Sequence, residues 1–243
     1  MTTAAASPGR RLAFLVVATI VSYPLGLALG SSWLLPVLNA APAYATMASR
    51  LRSGDRHGAV VAVLAWGATL AVCGTLAFAL WPADPGETVV NGPRYRDEMF
   101  HWVRTGEGAE GSPGLFLLQH LLHVAAFVVL SLLTASAVSI LMGAVLMNYM
   151  SFYVASLARA GAPIWAVVLL GWQPWALCRV AAFCVLGAVL AEPLMSRLVA
   201  YPYAGLGTAR RLVVAAGAGL LADGLLKASL APLWGRWLRV LLP

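Results

Sequence analysis

The chain has 243 residues, 61% of them hydrophobic and only 10% charged, with a mean hydropathy of +0.83 and a formal net charge of +7. That composition excludes an ordinary soluble domain. In a soluble protein the positive charge would point to nucleic acid, but here the basic residues form short clusters between apolar blocks and read as topology signals. The expected surrounding is therefore a lipid bilayer, with no nucleic-acid partner. The expected fold is an all-α polytopic bundle of six or seven spans forming a single integral membrane domain over residues 1–243.

The first block, Leu12 to Gly30, follows Arg10 and Arg11. Its length of about 19 residues suits a signal anchor better than a cleaved signal peptide, whose apolar core is usually ~7–15 residues. Gly26 and Gly30 have the GxxxG spacing of close helix contacts. Ser32 to Ala48 comes next and carries Trp33, Pro36, Asn39 and Pro42, which favours a short, broken or re-entrant element over a straight span. If it does cross, Arg10/Arg11, Arg50/Arg52/Arg56 and Arg197/Arg210/Arg211 share one side, as the positive-inside rule prefers.

Ala59 to Trp81 is the second long block. The loop 82–114 that follows holds Asp84, Glu87, Asp97, Glu98, Glu107 and Glu110, six of the nine acidic residues, and is expected outside a cell membrane, with a bacterial inner membrane as the setting. At its centre Asn91-Gly92-Pro93 offers a helix start. Tyr95, Met99, Trp102 and Val103 then share one helical face, opposite Arg94, Asp97, Glu98 and His101. This reads as an amphipathic helix lying on the membrane, returned to the next span by the glycine-rich run Gly106 to Gly114.

Leu115 to Ala160 carries no charge except Arg159 and as one helix would be about twice the ~30 Å hydrocarbon thickness. It must fold back, with Thr134-Ala135-Ser136 as the preferred hairpin and Gly143 as the alternative, since no proline marks the turn. Gln119, His120 and His123 stand at its start. Two histidines at i,i+3 can share a metal, with His101 and Glu98 as further ligands, although histidine is also common at membrane interfaces without one. Asn148 interrupts the second arm and is a candidate for interhelical hydrogen bonding or ligand contact.

Ile164 to Glu192 contains Gly171-Trp172-Gln173-Pro174-Trp175 and then Arg179. Proline interrupts the helical ladder, so this block is expected to be kinked or split into two half-helices, with Gln173, Arg179 and free N–H groups favouring an anionic group. The same residues also mark a headgroup-layer break. The last block, Leu212 to Pro232, encloses Asp223 and Lys227, which share a face at i,i+4 and can neutralise each other; Lys227 is close enough to the helix end to snorkel, and Arg179, if it reaches the interior, is the natural third partner of Asp223. Ions inside the membrane are costly and survive where they pair, line a cavity or act, so this pair is the strongest clue to function. Arg236 and Arg239 fall outside, beside Trp234 and Trp237.

No nucleotide-binding, zincin or serine-hydrolase motif is present and no cofactor is implied. Cys73, Cys178 and Cys184 make no metal spacing and read as small core residues. The leading expectation is a permease-like or transporter-associated subunit that binds an anionic or amphiphilic molecule, such as a lipid, through Arg179, Asp223, Lys227, Gln173 and Asn148. One rival is an assembly or structural subunit in which these charges recognise a partner membrane protein or a second copy. The other is an enzyme at the outer interface using Asp97, Glu98, His101, His120 and His123.

Overall fold

The computed structural model describes residues 8–199, 203 and 205–241. Among these the chain forms nine α-helices and no strand. They are α1 (Pro8–Leu29), α2 (Leu34–Arg52), α3 (Arg56–Leu80), α4 (Gly92–Thr105), α5 (Pro113–Thr134), α6 (Ala137–Arg159), α7 (Ile164–Leu170), α8 (Pro174–Leu198) and α9 (Arg210–Leu241). Six of them, α1, α3, α5, α6, α8 and α9, are long and apolar enough to cross a membrane, so the protein is an all-α helical bundle of the multi-pass type.

Helix α2 differs from the broken element expected for Ser32 to Ala48. It is a continuous helix of 19 residues, about 28 Å long, with Pro42 inside it. It runs back along α1, from Leu35 against Gly26 to Ser49, whose hydroxyl accepts from Arg11 Nη1. The polar residue that suggested a break is what ties the helix in. Asn39 is fully buried, donates to Ser22 Oγ at 2.7 Å and accepts from Asn148 Nδ2 at 2.8 Å, while its carbonyl accepts from Trp66 Nε1. Such cross-helix bonds satisfy polar groups that lipid cannot. Gly26 alone makes the close α1–α2 approach, because Gly30 lies in the turn at φ +64°. The GxxxG reading therefore reduces to one glycine and a turn.

The topology gathers the charge clusters at one end of the bundle. Arg56, at the start of α3, pairs with Glu192 near the end of α8 and donates to Thr208 Oγ1 just before α9. Together with the Arg11–Ser49 contact, this brings the arginines at the near ends of α1, α2, α3, α8 and α9 to one rim. The opposite rim carries α4, α7 and the C-terminal part of α9.

The hairpin falls where expected, at Thr134-Ala135-Ser136, and stays inside protein. Ala135 (φ +47°) and Ser136 (φ +64°) turn the chain, and Ser131, Ser136 and Ser139 are fully buried. Ser136 Oγ donates to Gly187 O, Ser131 Oγ to Ser139 Oγ, and Ser139 Oγ to Phe127 O. The turn's own backbone is paired as well, Ser136 N donating to Ser131 O and Ile140 N to Ser136 O, as irregular backbone away from water requires.

Helix α4 does more than rest on the surface. Its apolar face, Met99, Trp102 and Val103, is buried against Tyr153 and Leu157 of α6 and the end of α9. Asn91 is its N-cap residue, but in the left-handed region (φ +60°) and with no side-chain capping bond, so the start rests on backbone geometry and Pro93. Helix α9 also runs past the expected end of its block. Pro232 sits within the helix, which continues to Leu241. Gly235 lets it approach the Trp102 ring, and Arg239 Nε donates to Val103 O at 2.8 Å, meeting a carbonyl near the C-terminus of α4.

The break before Pro174 is present, but it comes at the end of a complete crossing. Helix α7 has seven residues, and α8 alone has 25, about 37 Å. A side chain at Gly171 would collide with Val167 O and Val154 Cγ1, so the close packing of this turn requires glycine.

Candidate functional site

Between α5, α6, α8 and α9, beneath α4, lies a cavity of about 90 Å³, room for several water molecules. Three kinds of element deliver its polar groups. Gln173 stands at the break before α8 and Arg179 about one turn into that helix. His120 and His123 project from the first turns of α5, and Lys227 from α9. Glu110 comes from the glycine-rich loop and Tyr95 from α4.

Asp223 anchors the base of this group. It is fully buried, and Arg179 holds it with two bonds, Nε to Oδ2 at 2.8 Å and Nη2 to Oδ1 at 2.9 Å. Such a two-point arrangement fixes geometry as well as charge. His120 Nδ1 lies 3.1 Å from Asp223 Oδ2, close enough for electrostatic attraction, but off the line a hydrogen bond needs, and it has no other partner.

Lys227 does not neutralise Asp223 as the i,i+4 spacing suggested. Its ammonium donates to Glu110 Oε1 at 2.8 Å and sits 3.6 Å from the centre of the Phe116 ring. Arg179 lies over the same ring at 5.3 Å. Lys227 is therefore buried and paired, where the sequence suggested a side chain snorkelling to the interface. Phe116 and the two cations form one desolvated unit, in which cation–π attraction is stronger than at an exposed site. Overall, two cations face two carboxylates and the set is charge-balanced.

Besides His120 Nδ1, an amide donor is left unused. Gln173 is 1% exposed, lines the cavity, and its Nε2 has no hydrogen-bond partner. An unsatisfied buried amide is costly, of order 1–3 kcal/mol, and calls for an acceptor in the cavity. Tyr95, by contrast, is engaged with Met150 Sδ at 3.3 Å, and burial pushes its phenol well above the ordinary value, so it stays a neutral hydroxyl.

The polar cavity does not stand alone. A second, almost wholly apolar pocket of about 40 Å³ adjoins it, lined by Trp66, Phe127, Ile140, Gly143 and Cys184 among others. Leu146, Met147, Val180 and Phe183 line both. Their lining residues follow α8 from Arg179 to Gly187, about 12 Å.

Not every residue singled out in the sequence belongs to this site. Arg179, Lys227, Gln173, His120 and His123 line the cavity and Asp223 supports it from behind. Asn148 does not line it. Its amide is used within the bundle, donating to Asn39 Oδ1 and accepting from Tyr23 OH at 3.0 Å. His101, Asp97 and Glu98 do not converge with His120 and His123 either. Glu98 pairs with Arg94 and Asp97 with Arg96 on the exposed face of α4, and His101 lies 4.0 Å from Glu107. Among the described residues no three His, Cys, Asp or Glu side chains group as metal ligands. Sequence reasoning missed Glu110 and Phe116. Glu110 lies in a stretch whose glycines read as a flexible return, and Phe116 was one apolar residue in an apolar block.

No protein-family model matches the sequence, and no curated protein and no solved structure shows significant similarity to it.

Proposed function

We propose that this protein is a permease-like or transporter-associated membrane subunit that binds an amphiphile with an acidic head. The head occupies the cavity of Arg179, Lys227 and Gln173, and the alkyl tail lies in the adjoining apolar pocket. One observation carries the reading: a polar cavity lined by the buried Lys227, the half-buried Arg179 and the unused amide donor of Gln173 shares four lining side chains with an adjoining apolar pocket. A ligand that is polar at one end and apolar at the other matches both parts at once.

The placement of Asp223 also supports this over assembly alone. A charge reserved for a partner helix would face lipid in the isolated chain, whereas Asp223 is fully buried and held by Arg179. The arginine-rich rim would face the cytoplasm and loop 82–114 the outside, following the positive-inside rule, which puts the head cavity in the outer half of the membrane.

The test is native mass spectrometry of protein gently extracted from its membranes. Gly143 faces the apolar pocket, and a side chain there would first meet Trp66 at an ordinary 3.6 Å. Gly143→Leu should therefore fill the tail site without disturbing the backbone. Wild type should carry a lipid-sized acidic ligand that the variant lacks. Equal occupancy in both, or none in wild type, would overturn the reading.

A further inference from the structure

We infer that Glu110 occupies the ligand's head position and acts as an internal competitor, and that the displacing ligand is a single-chain carboxylate amphiphile. This inference rests on the proposed binding function and deepens it. Asp223 is fixed by two bonds to Arg179, whereas the Glu110–Lys227 contact is a single bond between α9 and a loop that contains Gly106, Gly108 and Gly111. Of the two carboxylates, Glu110 is the one that can leave without moving a span.

Charge selects the ligand. With Glu110 withdrawn, Arg179 and Lys227 face only Asp223, leaving one positive charge, with the Phe116 ring against Lys227 and the free Nε2 of Gln173 nearby. A single carboxylate restores neutrality and can take the same bond to Lys227 that Glu110 makes at 2.8 Å. A phosphate monoester at its full charge would leave the cavity net negative, which is costly where burial limits solvation. A phosphodiester such as phosphatidylglycerol carries one charge but two chains, and the apolar pocket, at about 40 Å³, is too small for both.

A ligand that must first displace Glu110 binds with an affinity reduced by the fraction of molecules in which the loop has opened. Removing the competing charge removes that penalty. Oleate, methyl oleate and phosphatidylglycerol would be titrated against the protein in nanodiscs of zwitterionic lipid, with occupancy read by native mass spectrometry. Glu110→Gln should bind oleate at least about tenfold more tightly than wild type, as expected if the open loop is populated at about 10% or less. Lys227→Met should lose most oleate binding, and methyl oleate should be insensitive to both changes. Equal oleate affinity in wild type and Glu110→Gln would overturn the competitor role while leaving the amphiphile site standing. Preference for phosphatidylglycerol over oleate would overturn the carboxylate assignment. Failure of wild type and Glu110→Gln to bind any of the three would overturn both this inference and the function beneath it.

Discussion

Arg179 and Asp223 face each other across α8 and α9, joined by bonds of 2.8 and 2.9 Å, and the carboxylate is fully buried. Each ion is tolerable only because of the other. Removing one partner from a buried pair commonly costs ~3–5 kcal/mol, whereas removing both can be nearly neutral. Asp223→Ala should therefore sharply lower the unfolding midpoint in detergent, and Arg179→Met/Asp223→Leu should recover most of the loss. A double variant as unstable as the sum of two severe single variants would contradict this account.

Asn148 ties helices together. Asn148→Leu breaks the bond to Asn39 and should cost about 0.6–2 kcal/mol, the range for interhelical hydrogen bonds within membranes. A double-mutant cycle with Asn39→Leu should show coupling of similar size. Occupancy of the cavity by its ligand should not change, since Asn148 is not among its lining residues. Loss of ligand from a folded Asn148→Leu protein would return this residue to the binding site.

Asp55 makes a pH-dependent contribution at the arginine-rich rim. Its carboxylate caps α3 by accepting from Gly58 N at 2.8 Å and also accepts from Arg50 at 2.7 Å. The backbone bond, followed by the arginine, holds its pKa below the ordinary 3.8. A lowered folded pKa means that the contribution is complete above the ordinary value and is lost as pH falls through the folded one. Amide protection at Gly58 should therefore weaken on acidification below about pH 4. Asp55→Asn should flatten that response while keeping the cap, and Asp55→Ala should lose about 1 kcal/mol even at neutral pH. Equal acid sensitivity in wild type and Asp55→Asn would rule out this origin.

The hairpin contains a correctable strain. Ala135 holds φ +47° at the end of α5, a region glycine enters freely and other residues enter at a cost of ~1–2 kcal/mol. Ala135→Gly should raise thermal stability by about 1 kcal/mol, and Ser136→Ala should lower it by removing the bond that ties the turn to Gly187 O on α8. A destabilised Ala135→Gly variant would show that methyl packing outweighs backbone relief there.

Hydropathy alone revealed the six long spans, because a bilayer imposes length and apolarity on each segment independently. The hairpin at Thr134–Ser136 followed from the same length limit, and the interrupted block from Pro174. Asn39 and Pro42 misled for a physical reason. Both are poor in an isolated apolar helix, yet Asn39 has buried partners on α1 and α6 that no local pattern announces. The Asp223/Lys227 spacing misled in a related way. Helical neighbours are visible in sequence, and Arg179 could be named from its block as a partner for Asp223, but the loop carboxylate Glu110 that takes Lys227 is set by tertiary placement.

Helix α9 contributes Asp223 and Lys227 to the lower part of the cavity, and about two to three turns further on it grips α4 through Gly235 and Arg239. The base and the roof of the chamber are thus mounted on a single rod. Lifting α4 away would require bending or dragging that rod, together with the buried ion it shares with α8. Helix α5, which packs chiefly on α6 and α8 and is joined to α4 by the loop of Glu110, shares no such mounting with α9. An amphiphile entering from the plane of the bilayer would pass this wall without having to lift the roof.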